Sequence, residues 1–190
     1  MPPKPRISKD MVVDAALEVV RLSGADSVNA RTVAEKLGCS TQPVMYHFAT
    51  VEELKREAYE RLDWLHTAYL MNQQGDEDPL LGIGLNYLRF AVREPCWFRF
   101  LFQSGYAKEK NVMQMIESEE LRPVLEAMQA GIGIGMEQTK EIFVTLALFV
   151  HGYASIIANN GLEYDEILAA AQLERVFDGA MMAVQKEELK

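Results

Sequence analysis

Apolar residues recur every three or four positions along most of this chain, and no segment alternates polar with apolar residues as a half-buried strand would. Of its 190 residues, 49% are hydrophobic and 25% charged, which is typical of a folded globular protein. This length is enough for one or two packed domains. We therefore expect an all-α fold of about nine helices.

Helix start and stop signals divide the first fifty residues into three helices, over 9–23, 30–37 and 41–48. Gly38 stands where the second helix must end in a left-handed conformation, because glycine adopts that conformation without steric cost. Ser40 is a candidate N-cap for the third helix. The spacing predicts three short helices separated by tight turns.

A fourth, long helix is predicted to start at a capping box formed by Thr50 and Glu53 and to end at the polar loop 72–78. Further helices are predicted at about 80–94, 96–104, 111–117, 119–131, 138–159 and 165–187. We expect a three-helix domain over 1–50 and a larger helical domain over 51–190.

The second and third helices fit a helix-turn-helix, whose second helix normally enters the major groove of DNA. Val44 and Phe48 would face the core, which leaves a polar edge exposed on a very short helix. Gln42 on this edge can pair with adenine through two hydrogen bonds. The predicted DNA contacts are Lys4, Arg6, Arg31, Ser40, Thr41, Gln42, Pro43, Tyr46, His47 and Lys55.

The net charge of −9 argues at first against nucleic acid, but the charge is unevenly distributed. Residues 1–55 hold seven basic and seven acidic side chains, so the whole deficit lies in 56–190. Lys4, Arg6 and Lys9 precede the first acidic residue and make a short basic arm. DNA contact is therefore expected at the neutral N-terminal end, since an acidic body repels phosphate.

The run VVDAALEVVRLSGADSVNARTVAEKLGCSTQPVMYHFATVEEL resembles the DNA-binding domain of the TetR/AcrR family of repressors. The matching features are Ala15-Ala16, Gly24, Val33-Ala34, Gly38-x-Ser40, His47-Phe48 and Glu53-Leu54. The resemblance covers about a third of the chain, and FVHGYASIIANNG also resembles the penultimate helix of some members. Met45 and Val51 depart from the family's usual Tyr and Lys, which are commonly phosphate contacts.

The resemblance implies a ligand pocket and a dimer interface in the larger domain. Met and aromatic side chains suit an apolar ligand, although each one alone could equally belong to an ordinary core. The predicted pocket residues are Trp64, Tyr87, Phe90, Trp97, Phe98, Phe100, Met113, Met128, Phe143 and His151. The last two helices are apolar over more than one face, which a two-fold four-helix interface would bury. The predicted interface residues are Phe149, Tyr153, Ile157, Leu168, Val176, Phe177 and Met181.

Other chemistries find little support in the sequence. Two cysteines are too few for a disulfide framework, and three separated histidines lack metal-ligand spacing. No nucleophile, base and orienting group form a recognisable set, so we expect no catalytic residue, cofactor or metal. The apolar stretch 142–158 is shorter than a membrane span and is interpreted as a buried helix. We expect a cytoplasmic protein with no membrane partner.

The sequence therefore predicts a homodimeric repressor that binds a palindromic operator and is released by a small apolar or amphipathic ligand. Two alternatives stay open: a helical enzyme or ligand carrier with an incidental helix-turn-helix, and a repressor that binds no ligand.

Overall fold

The computed structural model describes residues 7–72, 79–107, 111–119 and 121–188 of the chain. These residues form ten α-helices, one turn of 3-10 helix at Ala25–Ser27 and no strand, which confirms the predicted all-α class. The helices are α1 (Lys9–Ser23), α2 (Ala30–Leu37), α3 (Thr41–His47), α4 (Val51–Met71), α5 (Pro79–Arg93), α6 (Pro95–Gln103), α7 (Val112–Ile116), α8 (Arg122–Ile132), α9 (Met136–Asn160) and α10 (Glu166–Glu188).

The chain packs into two compact units that do not follow its linear order. The first unit comprises Met1–Trp64 and Glu94–Ala107, and the second comprises Leu65–Arg93 and Lys108–Lys190. This is a division by packing, and the domain boundary after residue 50 stays a prediction. Helix α4 contributes to both units, and α6 belongs to the first unit although α5 before it belongs to the second.

The core of the first unit forms around α1. Val12, Ala16 and Val20 recur at four-residue spacing and are fully buried on one face of this helix. α6 adds Phe98 and Phe100, which are also fully buried. The indole Nε1–H of Trp97 donates to the carbonyl of Leu17 at 2.9 Å, so the polar end of this aromatic side chain is satisfied.

Ion pairs join α1 to other helices of the first unit. Arg61 of α4 contacts the carboxylates of Asp10 and Asp14 on α1. Arg21 grips both carboxylate oxygens of Glu94, with N···O distances of 2.6 and 2.7 Å. Because exposed pairs contribute little individually, we regard them as aligning the helices rather than as the main source of stability.

The second unit is a bundle in which α9 packs against α5, α8 and α10. Met128, Ile142, Ala180 and Val184 form one buried cluster of this unit. α5 and α10 approach each other closely at Gly84, where an added Cβ would lie 2.3 Å from Cδ2 of Leu173. A larger side chain at this position would require Leu173 to move.

α9 carries more apolar surface than the chain itself buries. Among the described helices, it is the one that is long and apolar enough to cross a membrane by length and composition alone. Its most apolar window has a mean hydropathy of 1.7, and 28% of that window is buried within the chain. Some of its apolar surface is therefore uncovered by the chain's own helices.

A buried histidine lies in the second unit at the end of α4. His66 is 5% exposed, and its ring packs edge-on against the rings of Tyr87 and Phe90 on α5 at centroid distances of 5.4 and 4.7 Å. Burial lowers the pKa of His66 to about 3, because the charged imidazolium loses its hydration. The residue is neutral in the folded protein at ordinary pH.

This burial predicts acid sensitivity. A histidine in the unfolded chain titrates near about 6.5, so below that pH the unfolded state binds more protons at this residue than the folded state. The free energy of unfolding should fall by up to about 1.4 kcal/mol per pH unit as the pH drops from about 6.5 towards 3. His66→Phe should lessen this slope in denaturant titrations run between about pH 6 and about pH 4. An unchanged slope would contradict the assignment.

Candidate functional site

Local hydrogen bonds define both ends of α2. The Asn29 side chain accepts the backbone N–H groups of Arg31 and Thr32, and the Thr32 hydroxyl accepts the Asn29 N–H in return. Gly38 ends α2 at φ 65° and ψ 33°, the left-handed conformation that the sequence predicts. The N–H of Cys39 then donates to the carbonyl of Ala34 at 3.0 Å. The bonds at Gly38 and Cys39 end α2 with three residues left before α3 begins at Thr41.

α3 buries one face and exposes the other. Val44 and Phe48 are buried, whereas Thr41 and Gln42 are exposed and Tyr46 is 75% exposed. This is the exposed polar edge that the apolar spacing predicts. What these side chains contact stays a prediction.

The first turn of α3 keeps free donors. Ser40 occupies the N-cap position with an extended backbone, but its side chain makes no capping hydrogen bond. Pro43, which is half-buried, follows in the same turn and has no N–H to satisfy. The exposed Ser40 hydroxyl and the N–H groups of this turn are therefore available to an outside acceptor such as a phosphate.

His47 is more enclosed than the other predicted contacts. Its side chain is half-buried, and Nε2 lies 2.9 Å from the backbone carbonyl of Ile7. Its ring also contacts that of Tyr46 edge-on at 5.1 Å. His47 is one of the predicted contacts of the exposed edge, but the chain ahead of α1 returns to the end of α3 and its Ile7 carbonyl occupies one ring nitrogen.

The remaining predicted DNA contacts are dispersed around the first unit. Arg31 is exposed and pairs with Glu35 at 3.0 Å, and Lys55 is half-buried on α4. Lys4 and Arg6 lie outside the described residues. The predicted capping box of α4 is present, since the N–H of Glu53 donates to the Thr50 hydroxyl at 3.1 Å and the Glu53 carboxylate accepts the Thr50 N–H at 3.3 Å.

A groove of about 390 Å³ runs beside His47 and carries charges of both signs. Lys9 lies on its wall, where its ammonium sits 5.4 Å from the centre of the Phe48 ring and 2.7 Å from a carboxylate oxygen of Glu57. Arg56 adds a positive charge to the wall, and Glu53 and Glu60 add negative ones. Because its wall carries charges of both signs, the groove has no single sign with which to attract an ion.

In the second unit, three of the predicted pocket residues come together. The Tyr87 hydroxyl lies 2.8 Å from Nδ1 of His151. The ring of His66 contacts the rings of both Tyr87 and Phe90. Nε2 of His151 lies 3.3 Å from the hydroxyl of Ser155 one turn later on α9. We call His66, Tyr87, Phe90, His151 and Ser155 the Tyr87 cluster. His66 and Ser155 were missed in the sequence, where nothing distinguishes them from other polar residues on helices.

The Tyr87 cluster is uncharged. Burial lowers the pKa of both histidines and raises the pKa of the Tyr87 hydroxyl, so the neutral forms are favoured throughout. The arrangement can offer hydrogen bonds within an apolar surrounding but no fixed charge.

Other predicted pocket residues do not join this cluster. Trp97, Phe98 and Phe100 lie in the first unit because the chain returns there for α6 after the break at Pro95. Trp64 is 67% exposed and also belongs to the first unit. The other three are placed as follows: Met128 belongs to a buried cluster of the second unit, Phe143 packs against that cluster, and the Met113 side chain is outside the described part of the chain.

The predicted interface residues differ in exposure. Leu168 is exposed, whereas Phe149 and Tyr153 are half-buried, and all three line an apolar groove of about 340 Å³ on the second unit. Ile157 is buried within the chain and is a core residue, since it points away from the exposed stripe of α9. Val176, Phe177 and Met181 on α10 are half-buried. Phe177 and Met181 pack against the cluster of Met128 and Ile142.

The most exposed apolar residues of these two helices are absent from the predicted interface. Leu148, Gly152 and Ile156 follow one another at four-residue spacing on the exposed stripe of α9. Ile167 and Met182 are exposed on α10, at 85% and 60%. Periodicity alone could not find this stripe, because α9 is apolar on every face.

No metal site is evident among the residues that the structure describes, where no three His, Cys, Asp or Glu side chains form a group suited to a metal ion. No protein-family model matches the chain, and no curated protein sequence matches it either.

Solved structures do resemble this fold. A TetR-family transcriptional regulator from Streptomyces coelicolor is 16% identical, with a TM-score of 0.72 over 98% of this chain and 85% of that one. A transcriptional regulator from Rhodococcus is 20% identical, with a TM-score of 0.62 over 93% and 97% of the two chains. A TetR variant from Acinetobacter baumannii, solved in complex with minocycline, is 17% identical, with a TM-score of 0.62 over 94% and 98%. The chain therefore has the fold of the TetR-family transcriptional regulators.

Proposed function

We propose that the protein is a DNA-binding transcriptional regulator that acts as a homodimeric repressor in the cytoplasm. The observation that carries this proposal is the exposed edge of α3, where Thr41, Gln42 and Tyr46 project from a helix held by Val44 and Phe48. A helix of this length exposes such a set at little benefit to its own stability, so a bound partner accounts for it better than packing does.

The chemistry of this edge suits a DNA duplex. Gln42 can donate to N7 and accept from N6 of adenine, and Thr41 can contact a thymine methyl group. The open first turn of α3 suits a backbone phosphate, which Lys55 and Arg31 would assist by charge. Because the acidic side chains outnumber the basic ones only after residue 55, repulsion from phosphate is confined to the rest of the chain.

A second copy of the chain would cover the uncovered surface of the last two helices. Leu148 and Ile156 on α9, with Leu168 and Met182 on α10, form an apolar surface that water would otherwise contact. A two-fold pairing of α9 and α10 makes a four-helix interface that buries this surface. The same symmetry places the recognition helix, α3, of each copy on one duplex, about 34–36 Å apart for successive major grooves.

The Tyr87 cluster is our candidate for the effector site. It offers hydroxyl and imidazole groups without charge, which suits a neutral ligand with apolar and hydrogen-bonding parts. A ligand that binds more tightly to the arrangement in which the two α3 helices are wrongly spaced for DNA would release the operator. A coupling free energy of about 1–3 kcal/mol between ligand and DNA binding would change the affinity for DNA about 5–150-fold.

The contact of Gln42 with a base can be tested with duplexes that the wild-type protein selects from a random-sequence pool. Gln42→Ala should cost about 1–3 kcal/mol on the best duplex and lose preference at one base-pair position. Lys55→Ala should weaken binding to all duplexes alike and reduce the salt dependence. Both are measurable by fluorescence anisotropy at several salt concentrations.

Gln103→Ala is the matched control, since Gln103 is an exposed glutamine at the end of α6 in the same unit. It should leave affinity and preference unchanged. Equal binding by wild type and Gln42→Ala would remove Gln42 from the interface, and a wild-type protein that selects no duplex would refute the regulator proposal itself.

The dimer can be tested by placing a charge on the exposed stripe of α9. Ile156→Glu should convert the dimer to monomer in sedimentation velocity, because an unpaired carboxylate in an apolar interface is costly to bury. Leu22→Glu provides the control, since Leu22 is equally apolar and 68% exposed on α1. A dimer that survives Ile156→Glu unchanged would place the interface elsewhere.

A further inference from the structure

A buried amide caps the C-terminal end of α4. Asn86 on α5 is 7% exposed, and its Nδ2 donates towards the backbone carbonyls of Tyr69, Leu70 and Asn72 at 3.4, 3.2 and 3.1 Å. The last carbonyls of a helix lack partners within it and need donors from elsewhere. A side chain of α5 therefore holds the end of α4 in place.

Arg89 extends this contact to the start of α10. One guanidinium nitrogen donates to Oδ1 of Asn86 at 3.2 Å, and two others grip the carboxylate of Glu166 at 3.1 and 2.6 Å. A two-point contact between planar groups restricts both distance and angle. Hydrogen bonding to Arg89 lowers the pKa of Glu166, so this carboxylate is ionised at neutral pH.

The charges along this path alternate in sign. The C-terminal end of α4 carries partial negative charge, Arg89 is positive, Glu166 is negative, and the N-terminal end of α10 carries partial positive charge. The arginine is 20% exposed at its side chain, so water screens it only partly. Close packing of Gly84 against Leu173 further limits movement between α5 and α10.

We propose that Asn86 and Arg89 are positioning residues for DNA recognition, linking the C-terminal end of α4 to the first turn of α10. This inference rests on the proposed function. α4 is one helix from Val51, directly after the recognition helix, to Met71, while α10 carries part of the proposed dimer surface. The link restricts α4 relative to the dimer surface and thereby restricts the spacing of half-sites that the dimer accepts.

A merely structural role predicts a different result. If the link only stabilised the second unit, weakening it would lower the melting temperature and reduce binding to every duplex in proportion. A positioning role changes the preference among spacings, because a looser α4 lets the two recognition helices meet wrongly spaced half-sites. The ratio of affinities for correctly and wrongly spaced duplexes separates the two roles.

The experiment uses the full-length protein and the half-sites that the wild type selects from a random pool, joined by spacers that differ in steps of one base pair. Arg89→Met should lower affinity for the preferred spacing about tenfold and affect neighbouring spacings much less, within the usual range of allosteric coupling. Sedimentation velocity and thermal melting report whether the dimer and its fold persist. Glu166→Gln, which keeps the shape but removes the charge, should act in the same direction if Arg89→Met fails to fold.

Lys140→Met is the matched control. Lys140 is also 20% exposed at its side chain and pairs with two carboxylates of the second unit, Glu117 and Glu137, neither of which belongs to α4 or α10. The Lys140→Met variant should have the same preference among half-site spacings as the wild type. The inference alone would be overturned by a folded, dimeric Arg89→Met or Glu166→Gln variant whose spacing preference stays within twofold of the wild type. A wild-type protein that selects no duplex would overturn both the inference and the proposed function.

Discussion

The seven-residue α3 cannot be stable by itself, since isolated helices shorter than about 12–15 residues are marginal in water. Its stability comes from burying Val44 and Phe48 in the first unit. The turn at Gly38 makes this possible by ending α2 sharply enough for α3 to fold back on the same core. The geometry of the exposed edge is therefore determined by an apolar core on its opposite face.

That core includes a helix from far along the sequence. α6 inserts Phe98 and Phe100 beside α1, and Trp97 bonds to a carbonyl of α1. The ion pair of Arg21 with Glu94 lies at the point where the chain re-enters the first unit. An element whose neighbours along the chain belong to the second unit thus contributes to the stability of the first.

Features encoded by a few adjacent residues could be predicted from the sequence. The cap at Thr50 and the glycine at 38 each depend on local hydrogen bonds or local sterics, and the structure contains both. Apolar spacing likewise placed the ten helices within a few residues of their observed bounds.

Features that depend on which helices become neighbours could not be predicted. Periodicity identifies an apolar face but not what covers it, so Trp97, Phe98 and Phe100 were assigned to a pocket rather than to the core around α1. The same limitation affected Ile157, which is buried, and Ile156 beside it, which is exposed. The contact of His47 with Ile7 spans forty residues of sequence and leaves no local pattern.

The discontinuity of the first unit has a consequence for anyone who wishes to study it in isolation. A fragment truncated after α4 would lack α6, leaving the Leu17 carbonyl without its indole donor and opening the apolar face of α1 to water. Such a fragment would expose an apolar surface and be prone to aggregate. An excised version would need α6 joined back through a designed linker, since no single cut yields the whole unit.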